Sequence, residues 1–302
     1  MQTLGSLEFW IQQGINALGL GSQYALMAVG LAMVFAVMRL INFAHGTVMM
    51  AGAYIGWLLL QRGTPFPLVA LGMVLGAAAL GIAMERVAYR PVRGAPDVAL
   101  LLNSFAVAVL LENLAILIFS PRSRPFPMPE ILTQVLHPGG DLFLPSIHLW
   151  ALGGALLALT ALALFVTRTR LGLAMRAAAE NPTAAQLMGI DIGKVTLLAF
   201  AIGSAMAGLA VLFWTAHVGT INPGMGFEPV LKAFVACVIG GFGTIPGAVL
   251  GGYLLGALEI FLQGILPSGV VGYRDALVYA VLILILLARP GGVLGYLEAE
   301  RV

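Results

Sequence analysis

Apolar blocks of about twenty residues recur from one end of this chain to the other, and that is the length a helix needs to cross the hydrocarbon of a bilayer. In order they are Ile11–Met38, Ile41–Leu60, Phe66–Met84, Val98–Phe119, Ile147–Val166, Val195–Ala216, Pro229–Leu266 and Asp275–Ala288. Lipid offers no partner to backbone N–H and C=O groups, so each block reads as a helix and not as an open strand. Only 9% of the 302 residues are charged, against about 25% in a soluble domain. The expected fold class is therefore all-α, a polytopic transmembrane bundle of eight hydrophobic blocks. Residues 1–302 form one domain, because no stretch is long and polar enough for a second. No internal repeat is evident along the chain.

The seventh block decides the number of crossings. Pro229–Leu266 holds 38 residues, roughly 57 Å as one straight helix against a hydrocarbon core of ~30 Å. Its middle reads Gly240-Gly241-Phe242-Gly243-Thr244-Ile245-Pro246-Gly247. Pro246 lacks a donor and the glycines weaken a helix, so a break is expected there. A break gives nine crossings; an unbroken block gives eight. Loops one, three and five carry Arg39, then Arg86, Arg90 and Arg93, then Arg168, Arg170, Arg176 and Lys194. The alternate loops carry only Arg62, Arg122 and Arg124. Eight basic residues against three place the odd loops in the cytoplasm. Nine crossings then put Arg289 and Arg301 inside as well. The opening MQTLGSLEFW has no basic region, so no cleavable signal is expected.

Several chemistries are disfavoured by what the chain lacks. A net charge of +2 carries no nucleic-acid signal. There is no G-x-x-x-x-G-K-[ST] phosphate loop and no G-x-S-x-G elbow. The four histidines, His45, His137, His148 and His217, form no HExxH pattern, and the lone Cys237 cannot make an internal disulfide. No metal, cofactor or catalytic residue is expected. The informative residues are polar groups inside the spans, which face a cavity, a partner or the interface. Asn103, Glu112 and Asn113 lie in the fourth block, with Asn103 and Glu112 roughly 13 Å apart along one helix. Glu228 and Lys232 have the four-residue spacing of a helical ion pair, and with Glu85 they are placed at headgroup depth. Glu259 sits late in the same block. The proline-rich Ser120–Pro145 loop reads as irregular, and it serves as a connector or as part of a platform for an external protein.

The longest basic interruption is Arg168–Lys194. Within it Asn181 is a good N-cap, Pro182 falls at the first helical position, and Gly189 can end a helix in the left-handed conformation. A helix of under two turns is predicted over Thr183–Met188, carrying Ala184, Ala185, Leu187 and Met188. Such a helix is too short to be stable alone and too apolar to stand bare in water, so it reads as a docking element.

Two resemblances give these features a context. Thr183-Ala184-Ala185-Gln186-Leu187-Met188-Gly189 is similar to the EAA-x-x-x-G loop of ABC-importer permeases, with Thr183 where the pattern has Glu. Arg39-Leu40-Ile41-Asn42-Phe43-Ala44-His45-Gly46, followed by Ala51-Gly52-Ala53-Tyr54, resembles the R-x-I-N-F-A-H-G…G-A-Y motif of branched-chain amino acid ABC permeases. Thr47 stands where that family commonly has an acidic residue, so no role of that charge is carried over. The likeness continues through Arg176-Ala177 to Asp191 and through Gly240–Ala248, and covers nearly the whole chain.

The resemblance implies a permease subunit in a prokaryotic cell membrane. Its partners would be a second homologous permease, two cytoplasmic ATPases and an extracytoplasmic solute-binding protein, with leucine, isoleucine or valine as the solute. Importers of urea, short-chain amides or other amino acids share the scaffold. It further implies an ATPase-coupling segment of Glu180, Asn181, Pro182, Thr183, Ala184, Ala185, Gln186, Leu187, Met188, Gly189 and Asp191. Residues for a pathway or gate are Asn42, His45, Asn103, Glu112, Gly241, Gly243 and Gly247, with Asn42 and His45 near the cytoplasmic end of a span. A stand-alone secondary transporter is the rival, and would show inverted repeats with matched broken helices; one clear break is visible in the sequence.

Overall fold

A computed structural model of the chain describes residues 7–137, 142–267, 269–289 and 291–294. The opening residues 1–6, Pro138 and Arg301 lie outside them. The helices are α1 (Leu7–Met38), α2 (His45–Gln61), α3 (Phe66–Met84), α4 (Asp97–Phe119), the one-turn α5 (Glu130–Thr133), α6 (Ser146–Arg168), α7 (Arg170–Glu180), α8 (Pro182–Leu187), α9 (Ile192–Val218), α10 (Phe227–Gly240), α11 (Ile245–Ile265) and α12 (Arg274–Ala288). A π-helical turn at Glu85–Tyr89 and a 3-10 turn at Arg90–Val92 continue α3. Four two-residue strands sit in the connections. β1 (Arg124–Pro125) pairs antiparallel with β4 (Thr220–Ile221), and β2 (Val135–Leu136) with β3 (Leu144–Pro145).

The proline-rich loop thus holds one turn of helix, the β2–β3 ladder, and β1, whose partner β4 lies outside the loop. The seventh block breaks where glycine and proline cluster. The turn spans 241–244, with Gly241 at φ 110° and Gly243 at φ 84°, which only glycine adopts at low cost. Thr244 then caps α11 by accepting the Gly247 amide at 3.2 Å.

Eight helices are long and apolar enough to cross a membrane among the described residues. The 17-residue α2 supplies a ninth pass together with the non-helical segment before it. Two faces follow. The basic face carries Arg39, the π-turn arginines, α7, α8 and the 241–244 turn, whose Phe242 ring lies 4.5 Å from Phe35 near the end of α1. The far face carries the start of α1, where Trp10 meets Phe261 of α11 at 5.9 Å, and the strand ladders. After the ninth pass the chain returns to the basic face, where Val293 and Leu294 donate to the Ile239 and Gly240 carbonyls.

The core is built on small residues, because helices in lipid associate by close backbone packing and not by a hydrophobic drive. On α1, Gly21 and Ala25 receive Gly256 and Gly252 of α11. On α9, Ser204 and Gly208 receive Gly81 and Ala77 of α3. Where α1 crosses α9, a Cβ on Gly30 would stand 2.7 Å from the Gly203 carbonyl oxygen.

These pairs expose an internal repeat that the sequence hides. The unit α1–α2–α3 recurs as α9–α10–α11: α1 packs on α11 as α9 packs on α3, and α2 and α10 each follow a broken connection. Because α1 starts on the far face and α9 on the basic face, the two units are inverted. Both breaks carry the same pattern, Ile41-Asn42-x-x-x-Gly46 and Ile221-Asn222-x-x-x-Gly226. The two final glycines meet: a Cβ on Gly46 would strike the Gly226 carbonyl, and one on Gly226 the Gly46 carbonyl.

Gly46→Val is therefore expected to destabilise the bundle by about 3 kcal/mol or more, since the obstacle is backbone and cannot rotate away. Cys237 is the chain's one cysteine and is buried. A thiol-reactive dye followed on heating reads the loss. Gly153→Val, where a Cβ meets nothing within 4 Å, is the control and should leave the midpoint unchanged.

Candidate functional site

The basic face carries α8, the short helix expected between Asn181 and Gly189. Asn181 caps α8 by accepting the Ala184 amide at 3.0 Å, Pro182 opens the helix, and Gly189 ends it at φ 83°. Leu187 and Met188 stand 85% and 83% exposed. Glu180, Thr183, Ala184 and Gln186 are also exposed. Ala185 corrects the expected apolar face. It is buried, and its carbonyl accepts the Ile190 amide, so it holds α8 onto the protein and does not project from it. In so short a helix a phase error of one or two residues, about 100° each, moves a residue from outside to inside, and the sequence does not fix that phase.

Asp191 caps α9 by accepting the Lys194 amide at 3.2 Å, with the Lys194 ammonium 3.4 Å away. The bond from that amide, then the ammonium, hold its carboxyl below the usual carboxylate range. A depressed pKa means the cap is present above the unfolded carboxylate value and is lost only as pH falls through the lowered one. Arg39, at φ 54°, donates to the Ala179 carbonyl at 3.2 Å, so the end of α1 is tied to α7 beside α8.

Asn42 and His45 are not near the basic end of a span. After Arg39 the chain runs back without helix over residues 40–42 and turns at 43–44, so α2 begins at mid-height and proceeds to the far face, where Tyr54 stacks on Phe119 at 4.3 Å. α10 begins beside it at Phe227 and runs the opposite way. The starts of two half-helices thus meet in the middle of the bundle. Asn42 is buried and structural: its side-chain oxygen accepts the Tyr89 hydroxyl at 2.6 Å and the Ala44 amide at 3.1 Å. His45 is buried with its ring against Gly30, and its Nε2 has no partner among the described residues. Asn103 donates to the Ala88 carbonyl at 3.2 Å and fastens α4 to the π-turn. Gly241, Gly243 and Gly247 gather at the basic-face turn, away from the mid-height cavity. Gly247 packs against the Gly240 and Gly241 carbonyls. Gly243 has only ordinary contacts with Phe35, so its constraint is its backbone angle and not close packing.

Glu112 is the one expected pathway residue that lines a cavity at mid-height. The cavity holds about 230 Å³ between the starts of α2 and α10 and the middle of α4. Its wall includes Gly46, Thr47, Phe105, Ala108, Gly224 and Phe227.

Lys232 is enclosed by acidic and phenolic groups from four helices. It is buried, with its ammonium 3.0 Å from Glu259, 3.1 Å from the Tyr24 hydroxyl, 3.3 Å from Glu228 and 3.7 Å from Asp275. The expected Glu228 spacing holds, but Glu259, also buried, is the partner that makes the charge tolerable. Tyr24 carried no signal of its own in the sequence. Glu85 is buried as well and pairs with Arg93.

The sequence matches the family described as "Branched-chain amino acid transport system / permease component" over residues 14–286. The chain belongs to this family. It is 38% identical to the high-affinity branched-chain amino acid transport system permease protein LivH of Salmonella typhimurium over 309 residues, covering 97% of this chain and 98% of that one. BraD of Pseudomonas aeruginosa, of the same description, is 38% identical over 311 residues with the same coverage. A probable LivH of the archaeon Methanocaldococcus jannaschii is 27% identical over 284 residues, covering 89% of this chain and 88% of its own. The protein is thus a multi-pass permease component of a prokaryotic cell membrane. A secondary carrier would show such an inverted repeat too, so the repeat by itself does not separate the two architectures.

Proposed function

We propose that this permease is the membrane-spanning subunit of an ATP-driven importer that takes up branched-chain amino acids. Residues 1–302 act as one permease domain, with residues 168–194 in the cytoplasm as its coupling loop. Two separate ATPases hydrolyse ATP, a second homologous permease completes the membrane part, and an extracytoplasmic solute-binding protein delivers leucine, isoleucine or valine. The observation that carries the coupling is α8: a capped helix too short to stand alone, with two large apolar side chains bare on the basic face. Leu187 and Met188 seat in the ATPase, and Asn181 and Asp191 fix the ends of the segment. When the ATPases close, force enters through α8 and α7 and reaches α1 through Arg39 and Ala179. The inverted halves, which meet at Gly30–Gly203 and Gly46–Gly226, then rock about those contacts.

The test is uptake of radiolabelled leucine into proteoliposomes that hold the complex purified from its native membrane. Uptake is expected to need ATP on the α8 side and binding protein on the other, and to collapse by more than about tenfold when ATP is replaced by ADP. Equal uptake with ADP would refute ATP coupling. ATP-driven uptake of urea or an amide with none of leucine would keep the importer and change its solute.

A further inference from the structure

The cavity beside Glu112 has the makings of a ligand site. It lies at mid-height, where α2 and α10 start from one another's backbone at Gly46 and Gly226. At about 230 Å³ it has room for a small amino acid. Glu112 is half-buried, deep in a membrane span, and its carboxylate has no hydrogen-bond or ion-pair partner among the described residues. Its Oε1 lies beside the Gly224 backbone, 3.6 Å from where a Cβ would stand. Opposite, α2 has no side-chain cap, and the amides of Gly46 and Thr47 find no acceptor among the described residues. These are the donors that a helix N-terminus presents to an anion. The remaining wall is apolar: Phe105, Val109, Phe227 and Val230. One negative group, one set of unspent donors and an apolar wall within one small cavity match the three parts of a zwitterionic amino acid with an aliphatic side chain.

We propose that this cavity is a resting site for the solute on its way through the permease. The solute's ammonium pairs with Glu112, its carboxylate takes the open amides at the start of α2, and its side chain lies against Phe105, Val109 and Phe227. The inference rests on the function proposed above, because it presumes that an amino acid passes through this chain.

The test uses the native complex in proteoliposomes with L-photo-leucine, a leucine whose side chain carries a diazirine, followed by mass spectrometry of the labelled peptides. Wild type is expected to import it and to carry adducts on the α4 and α10 segments that hold Phe105, Val109 and Phe227. Glu112→Gln should cut both labelling there and leucine uptake by about tenfold, the scale of one lost charge-assisted contact, and Glu112→Asp should recover part of each. A complex that imports leucine but is labelled only elsewhere overturns the site. So does a Glu112→Gln complex that imports and labels as wild type. Should the carboxylate serve only to hold the fold, Glu112→Gln would lower the thermal midpoint while leaving uptake per folded complex unchanged, and the proposal fails. A wild-type complex that imports no leucine removes the function reading, and this ligand class with it.

Discussion

A chain carrying Leu187→Glu and Met188→Glu is expected to insert, fold and pair as wild type, yet to import solute at less than about one hundredth of the wild-type rate. Both side chains project from α8 with most of their surface bare. Buried apolar anchors of an interface cost about 2 kcal/mol or more each when lost, and two of them take the coupling below detection. Neither touches the core, so the Cys237 dye midpoint should not move. Ala185→Glu makes a sharp contrast. Ala185 is buried on the inner face of α8, so a carboxylate there should lower the midpoint as well as the rate. If Leu187→Glu/Met188→Glu transports normally, α8 is an ordinary surface turn and force reaches the spans elsewhere.

Lys232→Met is the second large effect. It strands Glu259 in the packed centre between α1, α10 and α11, where the Lys232 ammonium and the Tyr24 hydroxyl are its partners. Removing one member of a buried pair costs about 3–5 kcal/mol, because the other charge is left uncompensated. The dye midpoint of the solubilised chain should fall accordingly. Lys232→Met combined with Glu259→Gln removes both charges and should regain most of the loss, so the double variant should stand closer to wild type than Lys232→Met does. A double variant less stable than Lys232→Met would mean that the two charges are not a compensating pair. The nearby Glu228 and Asp275 carboxylates are half-exposed, so they are not enclosed with Lys232 as Glu259 is.

The parts of the fold that could be read in advance are those written in local chemistry. Hydropathy alone outlines the spans. Asn181-Pro182 and Gly189 mark both ends of α8, and the Gly240–Gly247 cluster locates the break to within a few residues. What the sequence concealed depends on partners far along the chain. The non-helical stretch before α2 is apolar, so it merges with the block Ile41–Leu60 and hides the fact that the helix starts at mid-height. The inverted repeat survives mainly as Ile-Asn-x-x-x-Gly and as small residues four apart, patterns that composition makes common in any membrane helix. Lys232 has an acidic neighbour one turn away, which suggested a surface pair; its deeper partner, Glu259, lies 27 residues on and is reached only because α10 and α11 fold back on each other. Among the expected pathway residues, Asn42 and Asn103 proved to be fasteners within the fold, and Glu112 alone faces the mid-height space.

The central claim is that this permease works under ATPases that grip α8. Its most direct test is to purify the chain from its native membrane in mild detergent and identify by mass spectrometry what accompanies it. Two ATPase subunits and a second permease are expected in fixed proportion, and the Leu187→Glu/Met188→Glu chain should lose both ATPases while keeping the permease. A chain that comes out alone, and carries solute across liposomes without ATP, would contradict the claim and make this scaffold a self-sufficient carrier.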